Sequence, residues 1–446
     1  MPNPIVAIVG RPNVGKSTLF NRLVGKRIAI VEETAGVTRD RLYAEAEWIG
    51  RDFLLIDTGG MVLNEKDPIT VQVRAQAEIA MAEADVIVLL VDVTEGVTPA
   101  DLEVADHLRR ARKPVLVAVN KVENQKQERD AVDFYSLGLG EIYPISSIQG
   151  YGVAELLDKI VESFPPAGKE EAYPEDAIKI AIVGRPNVGK SSMLNAIVQE
   201  ERAIVSEMPG TTRDAIDTYF EHDGQRIVLI DTAGIRRAGK IRGSVEYYSV
   251  LRAVRAIERA DVALLLIDSS EGIMDGDKRV GGFSHEAGKA LVMVANKWDL
   301  AKDKGVSMRS FAESIRKETP FLSYAPIVFA SAIHAQGIRE VLDSAILAAQ
   351  SHAMRMPTGE INRIVEEAVD SHPLTQKGKR FKVYYATMPA VKPPTVVLFT
   401  NDPGLLHFSY QRYLENQLRK HYPYEGTPIR IHARKAESKE RRRSGG

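Results

Sequence analysis

The chain contains no cysteine, so it carries no disulfide framework, no thiolate metal site and no thiol nucleophile. That fits a protein of the reducing cytoplasm. No stretch approaches the ~20 consecutive apolar residues needed to span a bilayer. Residues 1–9 lack the basic start and long apolar run of a secretory signal. A cytoplasmic location with no membrane attachment is the expectation. A dominant charge is missing too, since the net is −1, but the charge is unevenly placed. Residues 353–446 hold 17 Lys/Arg against 9 Asp/Glu, a net of +8, which leaves −9 for the rest. A basic C-terminal part on an acidic body suggests a polyanionic partner for that part alone; the plainer alternative is a solubilising tail.

What is present is an ordinary globular composition, 44% hydrophobic and 27% charged. The 446 residues suffice for about three domains of ~150 residues. The chain also repeats itself. Gly10-Arg11-Pro12-Asn13-Val14-Gly15-Lys16-Ser17 returns letter for letter as Gly184-Arg185-Pro186-Asn187-Val188-Gly189-Lys190-Ser191. Thr38-Arg39-Asp40 returns as Thr212-Arg213-Asp214, and Asp57-Thr58-Gly59-Gly60 as Asp231-Thr232-Ala233-Gly234, all at an offset of 174. Asn120-Lys121-Val122-Glu123 returns as Asn296-Lys297-Trp298-Asp299 at an offset of 176. A period this long means a duplicated domain rather than a solenoid.

Each copy alternates apolar runs with amphipathic stretches. Runs 5–9, 53–56, 86–91 and 115–119 read as buried strands of the first copy, and 178–183, 227–230, 262–267 and 290–295 as those of the second. Helices are expected between them, for example over 16–24 and 100–112. Uninterrupted β-branched runs predict two doubly wound α/β domains with mostly parallel sheets, each holding its ligand at the strand C-termini. The expected divisions are a first domain at 1–166, a linker at 167–177, a second domain at 178–352 and a small α+β domain at 353–437. In that last part, helix 360–371, strands 380–388 and 395–400, helix 407–421 and strand 428–433 are predicted. Residues 438–446 read as a basic disordered tail.

The pattern GxxxxGK[ST] between a strand and a helix is a phosphate loop. Its glycines let backbone N–H groups turn inward, and the helix N-terminus adds its positive dipole end. Lys16 and Lys190 are placed to neutralise β- and γ-phosphates; Ser17 and Ser191 are Mg²⁺ ligands, with Thr18 and Ser192 following in the helix. The NKxD element selects the base. A carboxylate on a short arm accepts both guanine N1–H and N2–H₂, a donor pair adenine lacks. Asn296 and Asp299 fit it, with Lys297 packing its stem along the base and Trp298 between; Asn120, Lys121, Val122 and Glu123 are the first copy's version. Asp57 and Asp231 are expected to hold the Mg²⁺ shell, Thr38 and Thr212 to be its mobile further ligands, and Gly60 and Gly234 to touch the γ-phosphate. The segments Thr58-Gly59-Gly60-Met61 and Thr232-Ala233-Gly234-Ile235 thereby join the nucleotide site. Ser146-Ser147 and Ser331-Ala332 sit where a backbone N–H would meet guanine O6. These features predict GTP binding and hydrolysis to GDP and phosphate at two sites in one chain.

Taken together, the elements resemble the translation-factor-related GTPases. The two GRPNVGKS loops, the segment Ile235-Arg236-Arg237-Ala238-Gly239-Lys240 and the segment Val245-Glu246-Tyr247-Tyr248-Ser249-Val250 resemble one family closely, the Der (EngA) double GTPases of bacteria. The resemblance covers residue 5 to about 435. It implies a KH-like third domain, binding to the large (50S) ribosomal subunit or its precursor, and a role in late maturation of that subunit. It also implies that Asn13 and Asn187 help hold a K⁺ near the phosphates; the plainer alternative is that these asparagines serve the loop turn. A monomer is expected. The sequence departs from the family pattern at Glu123, where Asp is usual, and this predicts weaker guanine binding at the first site. It also lacks a GxxG loop in the third domain, which leaves Lys377, Lys379, Arg380, Lys382, Arg412, Arg419 and Lys420 as candidates for phosphate contact. Met61 and Ile235 stand where many GTPases carry a water-orienting Gln, so intrinsic hydrolysis is expected to be slow.

Three rivals remain at this point. A tRNA-modifying GTPase would call for a helical domain or a reactive cysteine. A non-catalytic RNA-binding scaffold would hold nucleotide permanently at one site. An ATP-dependent kinase or helicase conflicts with Asn296 and Asp299.

Overall fold

The computed structural model describes residues 3–24, 43–57, 78, 80–81, 84–111, 113–165, 173–174, 176–200, 217–232, 245–376 and 378–436. The chain divides into two compact units, one centred on residues 38–172 and the other made chiefly of 173–241 and 252–446.

The first unit holds a six-stranded sheet. Its strands are β1 (Ile5–Val9), β2 (Tyr43–Trp48), β3 (Arg51–Asp57), β4 (Val86–Asp92), β5 (Val115–Asn120) and β6 (Ile142–Pro144), in the order β2-β3-β1-β4-β5-β6. All neighbours are parallel except β2, which lies antiparallel on β3. The apolar runs explain the parallel part. Every residue of Val86–Asp92 is buried, as a strand covered by helices on both faces requires. On one face, Leu19 and Phe20 of helix Lys16–Val24 and Leu156 and Ile160 of helix Val153–Glu162 pack on Ile8, Leu55 and Val88.

The antiparallel edge strand was absent from the sequence reading. Tyr43-Ala44-Glu45-Ala46-Glu47-Trp48 alternates small, charged and aromatic residues, so it lacks the apolar run that betrays a buried strand. Only Ala46 of its interior positions is buried, at 1% exposure.

The second unit repeats this sheet with β7 (Ile178–Val183), β8 (Thr218–His222), β9 (Gln225–Ile230), β10 (Val262–Asp268), β11 (Ala290–Asn296) and β12 (Ile327–Phe329) in the order β12-β11-β10-β7-β9-β8. The expected helix of the first copy runs over Pro99–Leu108, opened by Thr98 and Asp101 in a reciprocal capping box with Pro99 at the first turn. Beyond the second sheet come helix Thr358–Ser371, a short hairpin of β13 (Thr375–Gln376) and β14 (Lys379–Arg380), then β15 (Val383–Ala390), β16 (Thr395–Thr400), helix Phe408–His421 and β17 (Arg430–Lys435). β15 pairs antiparallel with β16, and β16 parallel with β17. Both helices pack on one face of this sheet through Ile361, Val365, Leu414 and Leu418.

In both six-stranded sheets the first strand is central, flanked by β3 and β4 or by β9 and β10. The loops after the strand C-termini therefore converge on one edge, where an open α/β sheet binds ligand.

Candidate nucleotide sites

Each phosphate loop follows the central strand and ends where a helix begins, at Lys16 and at Lys190. The two loops have the same backbone. Asn13 and Asn187 both lie at φ 66°, and Gly15 and Gly189 both at φ 98°. Asparagine is the side-chain-bearing residue that best tolerates the left-handed region, so Asn13 and Asn187 suit this turn. Glycine is required for a second reason at Gly15 and Gly189. A Cβ there would lie 2.4 Å from Asn120 Nδ2 or Asn296 Nδ2. Val14 and Val188 turn inward and are buried.

That close approach is a clasp. Asn120 Nδ2 donates to Val14 O at 2.7 Å, and its Oδ1 accepts from Ser147 N at 2.9 Å. Asn296 Nδ2 donates to Val188 O at 2.8 Å, and its Oδ1 accepts from Ala332 N at 3.1 Å. One side chain thus joins three loops, which are distant in sequence and adjacent in space. The N–H groups of Ser147 and Ala332, expected to face guanine O6, are engaged by the asparagines. Ser146 and Ser331 are buried beside them.

Lys16 Nζ donates to Gly10 O and Arg11 O, both at 2.6 Å, and Lys190 Nζ to Gly184 O at 2.7 Å and Arg185 O at 2.6 Å. Burial lowers both ammonium groups to about 8; Asp57 for Lys16 and Asp277 for Lys190 oppose that drop, while the loop arginines add to it. A phosphate anion would give each of these ammonium groups a full negative charge where the carbonyls offer only dipoles. Ser17 Oγ donates to Asp57 Oδ2 at 2.8 Å, so two oxygen donors of the kind Mg²⁺ takes sit together. In the second copy β9 ends at Ile230, and Asp231 takes φ 58° with its N–H donating to Asp217 Oδ1 at 2.7 Å. Thr232 is buried and receives the hydroxyl of Thr218 at 3.0 Å. Thr38, Thr58, Gly59, Gly60, Met61, Thr212, Ala233, Gly234 and Ile235 lie outside the described residues.

Three carboxylates missed in the sequence complete each frame. Asp92 ends β4 and Asp268 ends β10, in register with Asn120 and Asn296. Asp92 pairs with Lys121, and Asp268 Oδ2 with Lys297 Nζ at 2.6 Å. Burial would push both carboxyls up, yet the lysine and the N–H and hydroxyl of Thr94 or Ser270 hold them below the usual range. Arg11 donates to Asp101 at 2.9 Å and Glu95 at 2.8 Å; Arg185 donates to Asp277 at 2.9 Å and Glu271 at 3.1 Å. Asp101 is the same residue that caps helix Pro99–Leu108. The loop arginine and the NKxD lysine are therefore both tied to the segment after the fourth strand. The signal was available: Asp92, Glu95 and Asp101 recur as Asp268, Glu271 and Asp277, all at the offset of 176 found for NKxD.

The two base-side carboxylates differ. Asp299 is half-buried on helix Trp298–Asp303, and its Oδ1 is buried with no hydrogen-bond partner among the described residues. Trp298 fixes that helix, with Phe329 and Phe311 packed edge-on at 4.5 and 5.6 Å. Glu123 is exposed and precedes the helix that Asn124 caps. In its place the buried Val122 takes the anchoring position, its N–H donating to Ile145 O at 3.0 Å.

Residues 5–121 and 179–297 match the family described as "50S ribosome-binding GTPase", and residues 355–434 match "KH-domain-like of EngA bacterial GTPase enzymes, C-terminal". GTPase Der of Geobacillus kaustophilus (strain HTA426) is 54% identical over 97% of this chain and 99% of its own. GTPase Der of Listeria monocytogenes serotype 4a is 52% identical over 98% of this chain and 100% of its own. The chain belongs to the GTPase Der family. It is a GTP-binding protein and a GTPase, built from two GTPase domains and a KH-like domain, as the duplicated motifs led one to expect. Among solved structures, Era with MgGDPNP and a piece of 16S ribosomal RNA aligns at 20% identity over 74% of this chain and 92% of that one, with a TM-score of 0.31. Among the described residues no helix is long and apolar enough to cross a membrane.

One expectation in the KH-like domain needs correction. Arg419 was a candidate for phosphate contact, but its guanidinium donates to Glu415, Tyr424 O and Thr427 O and lies over the Tyr324 ring at 5.3 Å. Five donors in a rigid fork are committed to the fold. Lys379 faces Asp402 at 3.7 Å, Arg380 faces Asp370 at 4.0 Å, and Arg412 stacks on Phe408. Lys382 and Lys420 are exposed, and Lys377 and the tail 438–446 lie outside the described residues.

Proposed function

We propose that the protein is a GTP-driven switch of ribosome biogenesis. It acts in the cytoplasm as a monomer, in late maturation of the large (50S) ribosomal subunit, and its affinity for the particle depends on the bound nucleotide. The observation that carries this reading is the pairing of two clasped GTPase frames with a basic third domain in one chain. The match to a family described as ribosome-binding supports it.

In this reading Gly10 to Thr18 and Gly184 to Ser192 wrap the phosphates, with Lys16 and Lys190 leaving their carbonyl partners for phosphate oxygens. Asp299, and more weakly Glu123, accept the guanine edge, while Asn120 and Asn296 hold the loops around it. Mg²⁺ would be held by Ser17, Thr38 and Asp57 and by Ser191, Thr212 and Asp231, and would screen charge on the β- and γ-phosphates. K⁺ at Asn13 and Asn187 would supply positive charge near the phosphates, where Met61 and Ile235 cannot orient a water by hydrogen bonding. The segments Asp57–Gly60 and Asp231–Gly234 respond to loss of the γ-phosphate, and domain affinity for RNA follows. The domain divisions at 1–166, 178–352 and 353–437, with their linker and tail, are the working boundaries for variants.

Sedimentation with purified ribosomal subunits tests this. The chain is expected to travel with the large subunit in a non-hydrolysable GTP analogue and to leave it in GDP. Equal distribution under both nucleotides, or travel with the small subunit alone, refutes it.

A further inference from the structure

The sheet of the KH-like domain has two unlike faces. Ala386, Met388, Val396, Leu398 and Ile431 belong to the domain core. By the alternation of strands, the other face carries Tyr385, Thr387, Val397, Phe399, His432 and Arg434. Strand register places Tyr385 opposite Phe399, and Phe399 opposite Arg434. Two rings and a guanidinium therefore stand in one row across three strands. The ring centroids of Tyr385 and Phe399 are 6.1 Å apart and inclined by 38°. Tyr385 is 39% exposed, and Arg434 is exposed.

A cross-strand aromatic pair by itself stabilises a sheet. Three further observations exceed that role. β15, β16 and β17 contain no Asp or Glu. Exposed Lys382 immediately precedes β15, at the end of the sheet next to this row, while Lys435, opposite buried Thr400, falls on the core side by the same alternation. His432, on the same face, is held below its ordinary range first by burial, with the nearby Arg430 and Arg434 adding to the shift. The other end of the strands is committed elsewhere, since Arg430 donates to Glu286 O and Lys392 faces Asp261 at 3.7 Å.

We propose that this face binds single-stranded RNA, with bases stacked on Tyr385 and Phe399 and phosphates met by Arg434 and Lys382. Stacking platforms beside basic side chains are how proteins hold unpaired bases without a GxxG clamp. The inference rests on the reading of an RNA-bearing particle as partner, and it names the surface that reading left unassigned.

The test uses the full chain and a fluorescent oligouridylate of about ten nucleotides. Tyr385→Leu and Phe399→Leu keep apolar bulk and are each expected to weaken binding roughly tenfold, while Tyr385→Trp restores it. Arg434→Gln is expected to lower the slope of log affinity against log salt by about 0.7. GTP turnover and the thermal midpoint stay at wild-type values in every variant. Wild-type oligonucleotide affinity in both leucine variants overturns the proposal. So does loss of subunit binding with oligonucleotide affinity intact, which would make the face a protein-docking surface. If ring-dependent oligonucleotide binding holds while neither subunit is bound, the RNA face stands and the ribosomal reading falls.

Discussion

The side-chain amide of Asn296 donates to the backbone carbonyl of Val188 at 2.8 Å, so the first residue of the second NKxD motif is a strut under the second phosphate loop. Its other end takes the N–H of Ala332. Replacing it with Ala strands a buried carbonyl and a buried N–H, at about 1–3 kcal/mol. Asn296→Ala, in a chain whose first site is disabled by Lys16→Ala, is expected to lose GTP affinity at least tenfold and to unfold at lower denaturant. Calorimetric titration and urea melts read the two effects. Unchanged affinity beside reduced stability would confine the asparagine to a role in folding.

The base-side carboxylates predict unequal sites. An extra methylene at Glu123 forces a backbone shift or an off-rotamer side chain, at roughly 0.5–1.5 kcal/mol. Glu123→Asp is expected to tighten guanine binding at the first site by roughly two- to tenfold, and Asp299→Glu to weaken the second by a similar factor. The first gain is partial, because the aromatic wedge around Trp298 has no counterpart at Val122. Equal GDP affinities for the two sites in single-site chains would remove this idea.

Potassium can be separated from turn geometry. Asn13 and Asn187 lie at φ 66°, where Ala is strained and Gly is not. Asn187→Gly therefore deletes the side chain and keeps the turn. Turnover of the wild type is expected to be faster in K⁺ than in Na⁺ at fixed ionic strength, and the double Asn13→Gly, Asn187→Gly chain to lose that preference. A preference that survives the double substitution would assign the asparagines to the turn alone.

Two histidines, His352 buried and His285 half-buried, set an acid limit. Burial lowers His285 to about 4, with Arg430, Arg419 and Arg412 adding to the shift. Burial also lowers His352 to about 4; Asp261 opposes it, while Lys289, Lys392 and Arg430 add to it. An unfolded histidine titrates near 6.5. The unfolded state therefore binds more protons between those values, and stability is lost as pH falls from about 6.5 toward 4, by ~1.4 kcal/mol per unit for each histidine. Urea midpoints measured at several pH values read this slope. His352→Gln, which can still meet Thr427 Oγ1, is expected to flatten it. Parallel slopes in wild type and variant would show that the charge change lies elsewhere.

The parallel strands and both phosphate loops were legible because their signals are local. A β-branched run such as 86–91 has no other stable environment than a covered sheet, and a glycine-framed loop before a helix has few other uses. What escaped was relational. β2 and β8 are edge strands whose identity comes from β3 and β9 rather than from their own residues. Asp92 and Asp268 look like strand ends until Lys121 and Lys297 are folded onto them. Arg419 read as a surface cation because, apart from Glu415 one turn earlier on the helix, its partners are the carbonyls of Tyr424 and Thr427 and the ring of Tyr324, which carry no charge that a sequence would display.

The N–H of Leu291, at the start of β11, donates to Gly426 O at 2.6 Å, and Gly426 N returns a bond to Tyr324 O at 3.0 Å. His352 Nδ1 meets Thr427 Oγ1 at 2.6 Å beside them. The seam between the second GTPase core and the KH-like part is thus stitched through main-chain atoms as well as side chains, and it leaves no room for a Cβ at Gly426, which would lie 2.5 Å from Ala348 Cβ. A scissors cut near residue 354 would leave the central sheet of the second core with a raw N–H, so excising the terminal module damages the enzyme left behind.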